Sequence, residues 1–165
     1  MTTKNSFDFS NLINNNCCFD LQFRKDTRRE RLNSPTYYRW KTQFVITLPK
    51  EKLKLLKKVK KIINCGRIYI AKNQARFSVQ KIEDISDVIV PFFKKNKLIG
   101  KDKKYFELWQ KAVYIIYSNK GKYIAKWQKN NLLSLIQIHK SISKYKDKPR
   151  QAKWIDMAKS MSKKL

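Results

Sequence analysis

Apolar and polar residues alternate in two N-terminal stretches of the chain, around 19–23 and from 38 to 48. A period of two residues is typical of strands that bury one face and expose the other. Two shorter strands are predicted at 66–71 and 74–79. The residues predicted to face inward from the first two strands are Phe19, Leu21, Phe23, Tyr38, Trp40, Thr42, Phe44 and Ile46.

Between and after these strands, apolar residues recur every three or four positions, which is the spacing of helices. Helices are predicted over about 50–63, 82–94, 103–118 and 122–145, and a last basic helix follows Pro149. Residues 9–16 are compatible with two further turns. The predicted order is helix, two strands, helix, two strands, helix, helix. The inward residues of the first three long helices are predicted as Leu53, Leu56, Val59, Ile63, Ile85, Val88, Ile89, Phe92, Phe106, Trp109, Val113 and Ile116.

The chain has a large excess of positive charge. It contains 39 Lys and Arg against 12 Asp and Glu, a net charge of +27, while 42% of its 165 residues are hydrophobic. That hydrophobic share predicts a folded domain and excludes a disordered basic tail. Self-repulsion disfavours such a fold unless a polyanion neutralises it. Nucleic acid is the first candidate and an anionic membrane surface the second. No apolar run of about 18 residues occurs, so no membrane-spanning helix is predicted.

The three cysteines, Cys17, Cys18 and Cys65, give neither a disulfide framework nor zinc spacing. His139 has no Cys or acidic partner at ligand spacing, and no phosphate-binding glycine loop occurs. We therefore expect a reducing compartment, no metal and no other cofactor. The first residues lack secretory and transit patterns. Abundant Lys, Asn and Ile indicate an A/T-rich gene, so we expect a mitochondrial, organelle-encoded protein without an import signal.

The element order and the stretch RFSVQKIEDISDVIVPFFKKNKLIGKDKKYFELWQKAV, residues 76–113, resemble one unit of the LAGLIDADG homing endonuclease family. The resemblance implies an α+β fold, a LAGLIDADG homing-endonuclease-like αββαββα unit with a basic helical C-terminal extension. The domains are then a polar lead at 1–8, a LAGLIDADG-like domain at 9–118 and the extension at 119–165. It also implies that two such units, from one chain or a homodimer, form a saddle whose strands line a concave nucleic-acid face.

The family's signature helix aligns with residues 9–19 of this chain. Its catalytic acid then falls on Asn16 and its earlier Asp on Asn14. Phosphodiester hydrolysis in the family needs divalent metal held between carboxylates from both units, and a neutral amide supplies no negative charge. Neither Asp8 nor Asp20 replaces the missing acid. The resemblance therefore implies a degenerate site with no catalytic residue and no metal ligand.

The outward residues of the predicted strands are the main candidates for nucleic-acid contact. Arg, Gln and Ser form hydrogen bonds with phosphates and base edges. The alternative is that they are ordinary solvated residues of an antiparallel sheet, and a register error of one residue would turn every side chain over. The predicted face consists of Gln22, Arg24, Arg39, Lys41, Gln43, Arg67, Tyr69, Arg76, Ser78 and Gln80.

Three further basic segments are weaker candidates. The loop 24–31 contains five cations and either follows a phosphate backbone or is simply solvated. For the lysine-rich helix at 50–63, an exposed face with a general electrostatic role is favoured. The C-terminal cluster combines charge with Trp154, which suits RNA or an RNA-bound partner, unless Trp154 packs on the domain. The cations added from loop and C-terminus are Arg28, Arg29, Arg31, Lys146, Lys148, Arg150 and Lys153.

Charge and resemblance together predict a non-catalytic RNA-binding protein derived from a LAGLIDADG homing endonuclease. We favour a structural component of a mitochondrial ribosome that contacts rRNA, because the positive charge extends over loop, helix and C-terminus. An intron maturase or splicing cofactor, and a still-active intron-encoded DNA endonuclease, are the alternatives. A protein held on a membrane surface is a third. Expected partners are rRNA or intron RNA, with other ribonucleoprotein components or a second LAGLIDADG-like unit.

Overall fold

Four antiparallel strands form one sheet in the order β1-β2-β4-β3. The structure is a computed structural model, and it describes Leu12 and residues 16–26, 37–145 and 155–163. All four predicted strands are confirmed, and the first two are longer than the alternation indicated. The strands are β1 (Cys17–Asp26), β2 (Tyr37–Pro49), β3 (Arg67–Ala71) and β4 (Gln74–Val79).

Helices follow each pair of strands. The first, α1, begins after a 3-10 turn at Lys50–Lys52, and it ends where Asn64 takes the left-handed conformation with φ 59°. Three consecutive segments make up a second helix, α2: Ile82–Asp84, Ile85–Ile89 and Val90–Lys95. The remaining bounds are Leu53–Ile63 for α1, Gly100–Ser118 for α3, Lys129–Ser143 for α4 and Ile155–Lys163 for α5.

The core lies between the apolar face of the sheet and the helices. Phe19 of β1 is fully buried at its centre, and its ring centroid lies 5.4 Å from that of Phe44 and 5.1 Å from that of Trp109. The indole Nε1 of Trp109 donates a hydrogen bond of 2.9 Å to the main-chain oxygen of Asp20. This bond joins α3 to β1 on the apolar side of the sheet.

A π-helical turn changes the inward face of α2. The structure buries Ile85, Ile89, Val90 and Phe93. Val88 and Phe92, which the helical period predicted as inward, are only half-buried at the edge of the core. The N–H of Val90 donates to the oxygen of Ile85, five residues back, and Pro91 has no N–H to donate. The wider turn rotates the residues that follow, which a strict 3.6-residue period misses.

The C-terminal extension packs on the domain as far as the structure describes it. Leu132, Leu135 and Ile142 of α4 are buried in the same hydrophobic cluster as the sheet, and Ala158 of α5 joins them. Trp154 lies outside the described residues, so its predicted role stays a prediction. None of the helices in the described ranges is both long enough and apolar enough to cross a membrane.

Candidate nucleic-acid interface

The strand register brings the polar residues of β1 and β2 onto one face. Gln22 pairs with Lys41, and Arg24 pairs with Arg39. Residues that oppose each other in an antiparallel pair lie on the same side of the sheet. The alternating burial along β2 agrees, since Trp40, with 4% of its surface exposed, sits on the opposite side from exposed Arg39. We call the side with Arg39 the polar face.

The strands β4 and β3 continue the polar face to the edge of the sheet. Thr47 of β2 opposes Arg76, which in turn opposes Tyr69. Ser78 opposes Arg67 in the same way. The ten residues predicted from alternation therefore share one face: Gln22, Arg24, Arg39, Lys41, Gln43, Arg67, Tyr69, Arg76, Ser78 and Gln80.

Hydrogen bonds between neutral and cationic side chains order this face. The ammonium of Lys41 donates to Oε1 of Gln80 over 2.9 Å, and Nε2 of Gln80 lies 3.3 Å from the hydroxyl of Ser78. A guanidinium nitrogen of Arg76 lies 3.3 Å from the side-chain oxygen of Gln74. Because these acceptors are neutral, the bonds position the cations without cancelling their charge.

Asp20 organises the amides at the centre of the polar face. Only 2% of its surface is exposed, and its carboxylate accepts hydrogen bonds from the amides of Gln22 and Gln43, the latter at 3.1 Å. Sequence reasoning considered Asp20 only as a replacement acid. The sequence does contain a signal for its place on the polar face: Asp20 lies two residues before Gln22, and residues two apart on a strand share a face.

Two adjoining cavities open at the edge of the polar face. One, of about 730 Å³, lies beside Arg67 and Tyr69, and the other, of about 390 Å³, lies beside Arg39 and Lys41. Gln80 and Lys81 line both. Lys81 was missed by the sequence analysis because it follows the end of β4, where alternation no longer predicts the direction of a side chain.

The side chain of Asn16, which aligns with the family's catalytic acid, forms a hydrogen bond with the main chain four residues earlier. Its Nδ2 donates to the oxygen of Leu12 over 3.0 Å, and its main-chain oxygen accepts from the N–H of Thr47 at 3.0 Å. Asn14, aligned with the family's earlier Asp, lies outside the described residues. Within the described ranges, no group of three or more His, Cys, Asp or Glu residues could hold a metal ion.

The thiol of Cys17, next to Asn16 in the chain, and the nearby phenol of Tyr105 stay uncharged at neutral pH. Burial raises the pKa of the Cys17 thiol well above its usual range, and nearby Asp102 adds to this effect. Burial likewise raises the pKa of Tyr105, whose hydroxyl lies 3.5 Å from Sγ of Cys18. Neither side chain therefore supplies the negative charge that Asn16 lacks.

The remaining predicted contacts fall on parts of the chain outside the described residues. These are the loop cations and the C-terminal cations: Arg28, Arg29, Arg31, Lys146, Lys148, Arg150 and Lys153. Their proposed contacts stay predictions.

Comparison with known proteins agrees with this architecture. The model of the LAGLIDADG endonuclease family matches residues 12–113. No match was found among curated proteins. Among solved structures, the homing endonuclease I-TnaI superposes with a TM-score of 0.68 at 14% identity, over 93% of this chain and 95% of its own.

Two larger relatives match with about half of their length. I-SmaMI, solved on an uncleaved DNA target with calcium ions, gives a TM-score of 0.69 at 20% identity, with 88% of this chain and 47% of that one covered. The LAGLIDADG meganuclease I-CpaMI, bound to uncleaved DNA, gives 0.69 at 19% identity, with 93% and 48% covered. At these identities the superpositions show a common fold. The family match extends over more than half of the sequence, and the chain therefore belongs to the LAGLIDADG endonuclease family.

Proposed function

We propose that this chain is a non-catalytic RNA-binding protein of the LAGLIDADG family and a structural component of a mitochondrial ribosome. The proposal rests on the polar face. Among the side chains that the structure describes there, five are cations and one is a carboxylate. That carboxylate, Asp20, is buried beneath two amides. Such a face presents positive charge and hydrogen-bond donors to a polyanion.

The face has the chemistry to hold a nucleic acid in a defined position. Arg39 and Arg67 are exposed and suit phosphate oxygens. The amides of Gln22 and Gln43 are oriented by Asp20, which fixes which of their atoms face outward. Preorganised amides lose less side-chain entropy when they bind a base edge. Tyr69, with 43% of its surface exposed, adds a ring on which an unpaired base can stack.

Loss of cleavage is supported by the state of Asn16. A hard divalent cation prefers anionic oxygens, and an amide supplies at most one neutral oxygen. Here the amide nitrogen is bonded to the oxygen of Leu12. A metal ion bound at this position would therefore receive no negative charge from Asn16, Cys17 or Tyr105.

RNA is favoured over a DNA target because the positive charge is not confined to the polar face. The net charge of +27 is spread along the whole sequence, and the exposed lysines of α1 lie behind the sheet. A protein surrounded by rRNA meets phosphates on several sides, whereas a saddle on duplex DNA meets them on one. The composition of an A/T-rich gene supports a mitochondrial origin.

Sedimentation of a gently lysed organelle tests the proposal. Stoichiometric movement with a ribosomal subunit is the expected result. Enrichment of an intron-containing precursor RNA in light fractions would instead mean a splicing cofactor.

A purified double variant, Arg39→Gln with Arg67→Gln, tests the polar face directly. It should bind an rRNA hairpin more weakly. The slope of log affinity against log salt concentration should fall by about 0.7–0.9 for each phosphate that is no longer neutralised. The matched control, Lys94→Gln with Lys95→Gln, removes the same charge from exposed positions of α2.

A DNA endonuclease is the second candidate, since I-SmaMI and I-CpaMI are described on uncleaved DNA targets. The chain would then cut DNA that contains its insertion site when Mg²⁺ is added, alone or with a second unit. Cutting by the unaltered protein that disappears in an Asn16→Ala variant would refute the non-catalytic proposal. Binding of DNA without cutting would leave that proposal intact.

A further inference from the structure

A second strongly positive surface lies on α1 and the turn before it. Residues 50–61 contain seven lysines and one acid, Glu51. All seven lysines are exposed, whereas Leu56 and Val59 between them have no exposed surface. We call this surface the α1 lysine face: Lys50, Lys52, Lys54, Lys57, Lys58, Lys60 and Lys61.

The α1 lysine face and the polar face point in opposite directions. Leu56, Val59 and Ile63 pack into the core on the apolar side of the sheet, where α1 contacts β2, β3 and β4. The lysines of α1 therefore point away from the sheet. The polar face lies on the other side of the same strands, so the protein has two positive surfaces with its core between them.

Nothing in the described part of the chain neutralises these lysines. No ion pair joins any of them to a described carboxylate. Lys54 and Lys58, and Lys57 and Lys61, are four residues apart, where like charges on a helix face each other and destabilise it. A solvated surface of a small domain usually mixes both signs. The arrangement is thus unfavourable for the isolated fold and favourable for a polyanion.

We infer that the α1 lysine face binds the phosphate backbone of a second RNA segment, so that one chain bridges two RNA segments on opposite sides of its core. The inference rests on the proposed function, because it assumes that the polar face binds the first segment. Lys54, Lys58 and Lys61 form a row about 10 Å long at 1.5 Å per residue. Flexible, compact ammonium charges suit phosphates without requiring a base sequence.

An anionic membrane fits this surface less well. An interfacial helix inserts an apolar face between lipid headgroups, and the apolar face of α1 is already buried in the core. Binding of lipid would use charge alone.

A bridging assay tests the inference with the full-length protein. One copy of an rRNA hairpin is immobilised on beads, a fluorescent copy is in solution, and retained fluorescence reports bridging. The α1 variant is Lys54→Gln, Lys57→Gln, Lys58→Gln and Lys61→Gln, which keeps helix-forming residues at exposed positions. The control variant, Lys94→Gln, Lys95→Gln, Lys97→Gln and Lys104→Gln, lowers the net charge equally. Circular dichroism verifies that both are folded.

The unaltered protein and the control variant should retain the fluorescent hairpin. The α1 variant should still bind one hairpin, but its bridging signal should fall about tenfold or more, because four lysines no longer neutralise phosphates. Bridging that survives in the α1 variant, as two polar faces of a dimer would produce, overturns the inference. The inference is also overturned if the unaltered protein binds one hairpin without bridging two, a result that leaves the proposed function standing. Absence of all RNA binding refutes both, and flotation with anionic vesicles without RNA bridging assigns the face to lipid.

Discussion

Replacing Trp109 by phenylalanine tests how α3 stabilises the sheet. Trp109 has no exposed surface, and its indole N–H donates to the main-chain oxygen of Asp20 over 2.9 Å. Its ring also lies against Phe19 and Phe106, with centroids 5.1 Å and 6.3 Å away. Phenylalanine keeps the six-membered ring but lacks the donor and two ring carbons.

The expected cost follows from these two losses. A net hydrogen bond contributes about 1 kcal/mol, and two buried carbons contribute about 0.8 kcal/mol each. Together they lower the free energy of unfolding by about 2.5 kcal/mol, and a residual cavity raises the cost towards about 3 kcal/mol. For a chain of this size that lowers Tm by roughly 5–10 °C.

Urea unfolding followed by far-ultraviolet circular dichroism measures the change, and Trp127→Phe is the matched control. Trp127 also donates through Nε1, over 3.1 Å to the oxygen of Lys122, but this bond only closes a local turn. Trp127 keeps 8% of its surface exposed and lies in the short segment before α4, which can close over the lost ring carbons, so the control should cost less, about 1–2 kcal/mol. Equal losses in the two variants would refute the reasoning. The RNA affinity that the proposed function assigns to the polar face should not change when measured well below Tm, because Trp109 lies on the apolar side of the sheet.

Three other predictions concern single positions. Asn16→Asp places a carboxylate against the oxygen of Leu12 and should lower the urea unfolding free energy by about 1–2 kcal/mol without metal; undiminished stability would contradict it. Gly66→Ala should cost about 3 kcal/mol, because φ is +84° and the new Cβ would lie 2.7 Å from Cε2 of Phe77. Gly121→Ala, with φ +79° and no atom within 4 Å, should cost about 1 kcal/mol; a reversed order of the two melting temperatures would refute this. Burial raises the pKa of Cys17, so iodoacetamide should label it slowly at neutral pH until urea is added, as mass spectrometry would show. Because the folded pKa exceeds the unfolded value of about 8.5, the stability linked to this thiol is complete below that pH and is lost as the pH rises above it.

The sequence by itself determined the order of the strands and main helices described in the structure, and the two faces of the sheet. The helix predicted from residue 122 instead begins at Lys129, after a 3-10 turn at Ile124–Lys126. Alternation placed Phe19 and Phe44 inside and Arg39 and Lys41 outside, because successive side chains of a strand point to opposite sides. Helical spacing located Leu56 and Trp109 in the core for the equivalent reason. These periods are properties of the backbone alone, so they can be read without knowing which elements pack together.

Tertiary structure decided which residues meet. The pairing of β2 with β4 brought Lys41 within hydrogen-bond distance of Gln80, 39 residues later in the chain, and the pairing of β1 with β2 placed Gln43 on Asp20. The π turn before Pro91 moved the buried positions of α2 in a way that a regular period does not encode. Packing of α1 on the apolar side also turned its lysines away from the polar face. Contacts between distant segments depend on register and packing, which are settled only when the whole core forms.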